Sequence, residues 1–325
     1  YIITPHKDGC DGTPFTFTVT ITPNPTVAAT APNLTICNKN PAAITLSSNL
    51  NGVRFTYSSS VTGSITGNSN RVTASAGTQI NDVLTNSGTS AGTVTYTITP
   101  FSAGGCPGAT TTITISVLPS ATLANAGADE AICNVSTYTL KGNAAVVGSG
   151  KWTIVAAPTA ITFADEAQNN TQISGLQPGN AYILRWTIAD VGCSSSTDDV
   201  QITVNPLSVG GTTTGDIAVC AGANGGNISL AGEVGNIIRW EKSIDNGITW
   251  ATIVSTVNPY VFSNLTVSTQ FRAVVQSGAC AEASSSVSTV TVNPGTVVAN
   301  AGNDQSLCSG KSISLSGNNP APNTG

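Results

Sequence analysis

No methionine and only one histidine, His6, occur among 325 residues, and charged side chains make up just 8 % of the total. The missing methionine, with no basic segment and apolar run near Tyr1, implies that this stretch belongs to a longer polypeptide. His6 reads as an exposed loop residue, so neither a Cys-His nor a Ser-His-Asp nucleophile is assembled. Lysine and arginine number 11 against 16 acidic residues and nowhere cluster. That excludes nucleic acid and anionic membrane as partners, since both need concentrated positive charge. No apolar run approaches the roughly 18 to 20 residues that cross a bilayer, so no membrane insertion is expected in this stretch. Cys-x-x-Cys pairs are absent as well. With a single histidine this argues against zinc and points the eight cysteines towards disulfides in an oxidising, extracytoplasmic place.

What fills the chain instead is Thr, Ser, Ala, Val, Gly and Asn, an alphabet of strands and turns rather than of helices. It is arranged as an array. Val117-Leu118-Pro119 leads through Ala121-Thr-Leu-Ala-Asn-Ala-Gly-Ala-Asp-Glu-Ala-Ile-Cys133, and the passage recurs as Val204-Asn-Pro206 to Cys220, Val292-Asn-Pro294 to Cys308, and Ile21-Thr-Pro-Asn-Pro25 to Cys37. Cys37, Cys133, Cys220 and Cys308 are spaced by 96, 87 and 88 residues; Cys10, Cys106, Cys193 and Cys280 by 96, 87 and 87. Whole repeats are therefore 26–119, 120–206 and 207–294, between the end of a preceding repeat at 1–25 and the start of a following one at 295–325. Their length, short strands and Gly or Asn turns predict an all-β tandem array of immunoglobulin-like β-sandwiches. Phe55, Trp152 and Trp240 follow the first cysteine of their repeats by 18 to 20 residues, where strand C places a core aromatic. Tyr96, Tyr182 and Phe271 precede the second cysteine by 9 to 11 residues and mark strand F, with Tyr182 resembling a tyrosine corner. Each linker is a proline and a few residues, too short for a loose tether, so the repeats are expected to stack into a stiff rod.

Counting cysteines does not fix their connectivity. Pairing within repeats would join Cys37 to Cys106, Cys133 to Cys193 and Cys220 to Cys280. In a sandwich of this topology, however, the first cysteine lies near the A–B turn at the distal end, and the second follows strand F at the proximal end. A strand of about 8 residues spans roughly 26 Å, whereas bridged Cα atoms lie within about 7 Å. Across a junction the two ends meet. Staggered pairing would join Cys37 to Cys193 and Cys133 to Cys280, leaving Cys10, Cys106, Cys220 and Cys308 to partners beyond this stretch. In-repeat bridges and free thiols remain open on sequence alone.

Motifs with possible chemistry have simpler structural readings. Ser243-Ile-Asp-Asn-Gly-Ile-Thr-Trp250 matches the Asp box of sialidase propellers, but a propeller needs several boxes and an arginine cluster; here it reads as a hairpin turn capped by Trp250. Asp198 and Asp199, adjacent on a strand, point to opposite faces and cannot work as a paired acid and base. Asp165 and Glu166 read as solvated loop carboxylates. Gly148-Ser-Gly-Lys151 lacks the spacing of a phosphate loop. Calcium at repeat junctions would draw on Asp129, Glu130 and Asp304, too few convergent carboxylates to build a site from sequence; no other cofactor is expected.

Asn300-Ala-Gly-Asn-Asp-Gln-Ser-Leu-Cys-Ser-Gly310, Arg239-Trp-Glu-Lys-Ser-Ile-Asp-Asn-Gly-Ile-Thr-Trp250 and Tyr96-Thr-Ile-Thr-Pro with Gly105-Cys106 resemble the PKD-like and Ig-like repeats of giant Bacteroidetes surface proteins. SprB-type gliding-motility adhesins, exported by type IX secretion, are the group they most resemble. The resemblance implies a non-enzymatic stalk in a filament attached to the outer membrane at the bacterial cell surface. It also implies that other parts of the protein meet polysaccharide or a solid surface, and that the outer-membrane secretion and motility machinery are partners. The alternative is a carbohydrate-binding module of an extracellular polysaccharide-binding or hydrolytic protein. That reading needs exposed aromatics, and Trp186 is the tryptophan expected to supply one.

Overall fold

The computed structural model describes residues 1–190, 192–193, 195–295 and 300–317, and among them every regular element is a strand. Three separate buried clusters organise it: Ile36 to Val117, Ala124 to Val204, and Ile228 to Val290. Each is the core of one β-sandwich, so the chain is a tandem of Ig-like domains. Of the expected opening of a further repeat, only residues 295 and 300–317 fall within the described set, and they carry no strand. Residues 1–25 form a hairpin in which Ile2–Ile3 pairs with Phe15–Thr16 and His6–Lys7 with Cys10–Asp11. His6 thus sits in a short strand rather than a loop, exposed and 2.6 Å from Asp11. Asp8 and Gly9 close the turn with φ of 52° and 80°, the left-handed geometry that a two-residue hairpin loop demands.

Alternation builds the larger sheet of each repeat. In Gly92–Phe101 the side chains of Val94, Tyr96 and Ile98 are fully buried, while Thr93, Thr95 and Thr97 face outward. The outward threonines bond across the sheet, Thr95 to Thr114 at 2.9 Å and Thr62 to Thr93 at 2.7 Å, a pairing that suits β-branched residues on a pleated surface. In the first repeat the order is Arg71–Ser75, Arg54–Thr62, Gly92–Phe101, Thr111–Leu118, Thr35–Cys37. The middle repeat runs Ser149–Ala156, Asn180–Ala189, Ser195–Asn205, Glu130–Cys133. The third runs Ala251–Ile253, Asn236–Ser243, Thr269–Gln276, Ser288–Asn293, Ile217–Cys220. Shorter three-stranded sheets, such as Thr137–Thr139, Gln172–Ser174 and Thr162–Phe163, face them.

Phe55, Trp152, Trp240, Tyr96, Tyr182 and Phe271 are all buried, at most 2 % exposed. The Tyr182 hydroxyl accepts the Gln177 amide at 2.9 Å and meets Thr159 Oγ1 at 2.7 Å, which is the hydrogen bonding of a tyrosine corner. Tyr96 does the corresponding work through a carboxylate: its hydroxyl donates to Asp82 Oδ2 at 2.6 Å. Burial pushes the Tyr96 hydroxyl far above its ordinary pKa, and the Asp82 hydrogen bond adds to the shift.

Trp186 corrects a sequence expectation. It is 1 % exposed, packed against Trp152 with ring centroids 5.0 Å apart and planes tilted by 38°, and its indole N–H donates to the Asn143 carbonyl at 3.1 Å. The reason is phase: Trp186 shares the inward face of Tyr182, Leu184 and Ile188. Gly150 makes the room, since a Cβ there would lie 2.1 Å from the Trp186 ring.

Candidate functional site

The most distinctive chemistry lies where one repeat meets the next. In each of the three whole repeats a short strand carries the first cysteine and runs parallel to the last strand. Cys37 is the register partner of Leu118, Cys133 of Asn205 and Cys220 of Asn293. Each of those partners immediately precedes the linker proline, Pro119, Pro206 or Pro294. Proline ends the ladder because it has no amide to give, and the cysteine is thereby held at the mouth of the linker. The second cysteine lies in the turn between the two central strands, at the opposite end of its own sandwich.

The structure bonds Cys37 to Cys193 and Cys133 to Cys280, with Cα separations of 5.6 and 4.8 Å, so both disulfides cross a junction. Around the first, the Gly192 carbonyl lies 3.3 Å from Cys37 Sγ, and Asn38 Nδ2 donates to Ser120 Oγ at 2.8 Å across the linker. Asn38 Oδ1 in turn accepts the Asn86 amide, and Asn86 Nδ2 donates to the Val117 carbonyl, both at 2.8 Å. The end of the first repeat is thus tied to the strand that enters the linker. At the second junction Cys280 is 1 % exposed, with its sulfur 3.2 Å from the Pro206 carbonyl. The Asn134 amide donates to the Asn205 carbonyl at 2.9 Å, and the Ser277 amide to Ser208 Oγ at 2.9 Å. Asn205 packs so tightly on Gly278 that a Cβ there would sit 2.1 Å from the Asn205 amide nitrogen. Buried polar groups at this junction are therefore paired, as a well-fitted contact requires.

Cys10, Cys220 and Cys308 are exposed free thiols and Cys106 is a half-buried one. Among the described residues no three His, Cys, Asp or Glu side chains gather as a metal site. Asp129 Oδ1 accepts the Gln201 amide at 2.8 Å, and Glu130 is paired with Lys141, whose hydrogen bond holds its carboxyl below the usual range. Asp198 Oδ2 accepts the Ala126 amide at 2.7 Å, while Asp199 faces Arg185 Nε at 2.7 Å. Glu166 pairs with Lys151 at 2.8 Å, and Asp165 Oδ1 accepts the Ala167 amide at 2.9 Å. These carboxylates hold their own repeats together.

The Asp-box hairpin is a turn. Asn246 and Gly247 adopt φ of 58° and 84°, and Trp250 Nε1 donates back to the Gly247 carbonyl at 3.1 Å. Hydrogen bonds from Ser243 and Thr249 lower the Asp245 carboxyl to about 2. Beside it lies an ion cluster the sequence reading missed. Glu241, 6 % exposed, accepts from Arg239 Nε at 2.8 Å and Arg272 Nη2 at 2.7 Å; Arg272 covers the Trp250 ring at 4.1 Å, and Arg239 reaches Glu282 at 2.8 Å. Burial pushes the Glu241 carboxyl up, but the two arginines outweigh it and hold it below its ordinary value.

Family comparisons fit this architecture. Residues 1–25 and 34–121 match a PKD-like domain family, 126–204 a second PKD domain family, and 209–294 a family described as a domain of unknown function. The chain is an Ig-like and PKD-like repeat region. Ig-like and PKD-like modules are typically structural rather than catalytic, and disulfides of this kind belong to extracellular or secreted proteins. No helix of the described residues is long and apolar enough to cross a membrane. No curated protein sequence matches the repeat region. Among solved structures it is similar to Drosophila OTK extracellular domains 3–5, with 8 % identity over 80 % of this chain and 93 % of that one and a TM-score of 0.35. It is also similar to mouse cadherin-23 EC22–24, with 11 % identity over 83 % and 99 % and a TM-score of 0.35. The insect immune protein hemolin matches at 11 % identity over 82 % and 76 %, with a TM-score of 0.28.

Proposed function

We propose that this repeat region is a non-enzymatic stalk segment of a large bacterial cell-surface adhesin filament, of the SprB-type gliding-motility kind. The observation that carries the reading is the pair of disulfides placed across both junctions rather than inside the repeats. A covalent bond beside a proline linker gives each junction two points of attachment, and two points suppress the swivel that one would allow. Trp186 and Trp152 are buried together, so neither offers its ring to a carbohydrate. The outward threonines and serines, with few charges, make a weakly interacting surface suited to a spacer. In this reading polysaccharide or a solid surface is met by other parts of the protein, and export, outer-membrane attachment and movement fall to the secretion and motility machinery.

Small-angle X-ray scattering on oxidised and reduced chain tests the stapled shaft. Oxidised protein is expected to give a narrow, elongated distance distribution. Reduction is expected to broaden and shorten it while circular dichroism shows the sandwiches still folded. Superimposable curves would remove the staples from any role in stiffness.

A further inference from the structure

We infer that Cys220 and Cys106 are the two halves of further junction staples, Cys220 bonding the turn cysteine of the repeat that follows Pro294 and Cys106 the parallel-strand cysteine of the repeat that ends at Pro25. Cys220 stands where Cys37 and Cys133 stand. All three close a short strand parallel to the last strand, opposite the residue before the linker proline. The backbone beyond repeats too: the Ala221 amide donates to the Asn293 carbonyl at 2.9 Å, as the Asn134 amide does to Asn205 at 2.9 Å. Two of these three equivalent cysteines are bonded to the next repeat, and the third is exposed at the equivalent position, opposite the residue before Pro294.

Cys106 matches the other half. It lies in the turn between central strands, like Cys193 and Cys280, and that turn is packed on the preceding linker. A Cβ on Gly108 would come within 1.8 Å of the Pro25 carbonyl, and one on Gly104 within 3.4 Å of Thr22 Oγ1. Gly278 meets Asn205 in the same way beside the bonded Cys280. The sequence itself begins and ends the repeats that would supply the partners. Asn300-Ala-Gly through Cys308 repeats Asn125-Ala-Gly through Cys133, and Tyr1, Cys10 and Pro25 repeat Tyr182, Cys193 and Pro206. Bond formation is a thiol–disulfide exchange. Cys220 Sγ displaces one thiolate of a carrier disulfide, the partner thiolate then displaces the carrier sulfur, and two electrons and two protons leave with the two carrier thiols.

The spacing fixes where the partners fall. Cys193 and Cys280 are 87 residues apart, so the partner of Cys220 lies about 87 residues past Cys280. First and second cysteines of a repeat are 60 to 69 residues apart, so the partner of Cys106 lies about that far before Cys10. Purifying the longer polypeptide with alkylation, without reduction, and mapping its peptides by mass spectrometry tests both bonds. The expected result is a Cys220 peptide joined to the following repeat's turn cysteine and a Cys106 peptide joined to the preceding repeat's parallel-strand cysteine. Alkylated Cys220 or Cys106 would overturn the inference, and so would a Cys220–Cys308 or Cys10–Cys106 bond. A Cys220→Ser variant leaves the third sandwich intact, because the side chain is exposed, and it should release one alkylatable thiol from the following repeat and none elsewhere. The bonds require only the repeat architecture, so an unstiffened chain in scattering would leave them standing.

Discussion

Trp186 shows how much a single position in a strand can carry. Its ring closes the middle core between Trp152 and Gly150, and its N–H is satisfied by Asn143, so it has nothing left to offer a ligand. Trp186→Ala is expected to cost about 3 to 5 kcal/mol, the range for emptying a large aromatic site. Gly150→Ala should destabilise as well, because its methyl would enter the ring. Thermal unfolding of the middle repeat measures both, and a Gly150→Ala protein as stable as the parent would contradict the packing described. The inward phase of Trp186 was legible in Tyr182-Ile-Leu-Arg-Trp, since every second residue from the core tyrosine points inward. The core aromatics were legible from their spacing, 18 to 20 residues after the first cysteine or 9 to 11 before the second. Glu241 was not. Its burial depends on Arg272 being its cross-strand partner, a register that no local pattern announces.

Between residue and repeat lie the hairpins and edge strands. The Asp-box hairpin joins Asn236–Ser243 to Ala251–Ile253, and its turn is held by Asp245 in the charged form. A carboxyl lowered from 3.8 to about 2 on folding contributes stability that is complete above its unfolded value. That contribution fades as pH falls from about 4 through about 2. The Trp250 indole N–H resonance should therefore keep its folded shift at pH 4 and move towards its disordered value as pH approaches 2. In Asp245→Asn the same resonance should be already displaced at neutral pH and show no such acid transition; a wild-type signal indifferent to pH would contradict the role given to Asp245. The sequence made this turn readable through Asp245-Asn-Gly247. It did not reveal that the first and third repeats add a strand beside strand C, Arg71–Ser75 and Ala251–Ile253, while the middle repeat leaves Ser149–Ala156 at the sheet edge. Thr-rich and Ser-rich runs look alike whether or not they pair.

At the scale of the whole molecule the repeat period and the proline linkers make the tandem architecture visible in the sequence, because two cysteine series keep step, at 96, 87 and 88 and at 96, 87 and 87 residues, whatever changes between them. Connectivity required three dimensions, since only the meeting of distal and proximal ends brings Cys37 to Cys193 and Cys133 to Cys280. The two bridges interlock, because Cys133 lies inside the loop closed by Cys37–Cys193 and Cys193 inside the loop closed by Cys133–Cys280. Under a pull on both ends, tension passing Cys37 crosses to Cys193, runs back to Cys133 and crosses again to Cys280. Only the 60 residues from Cys133 to Cys193 must stretch, in place of the 243 that separate Cys37 from Cys280. At about 3.3 to 3.6 Å per residue that caps this segment near 200 Å, against about 800 Å once reduced. Single-molecule force spectroscopy should record that ceiling and its release by a reductant. A chain so wired can lose every sandwich to a sudden load and still not pay out its slack, which makes it a tether with a built-in stop.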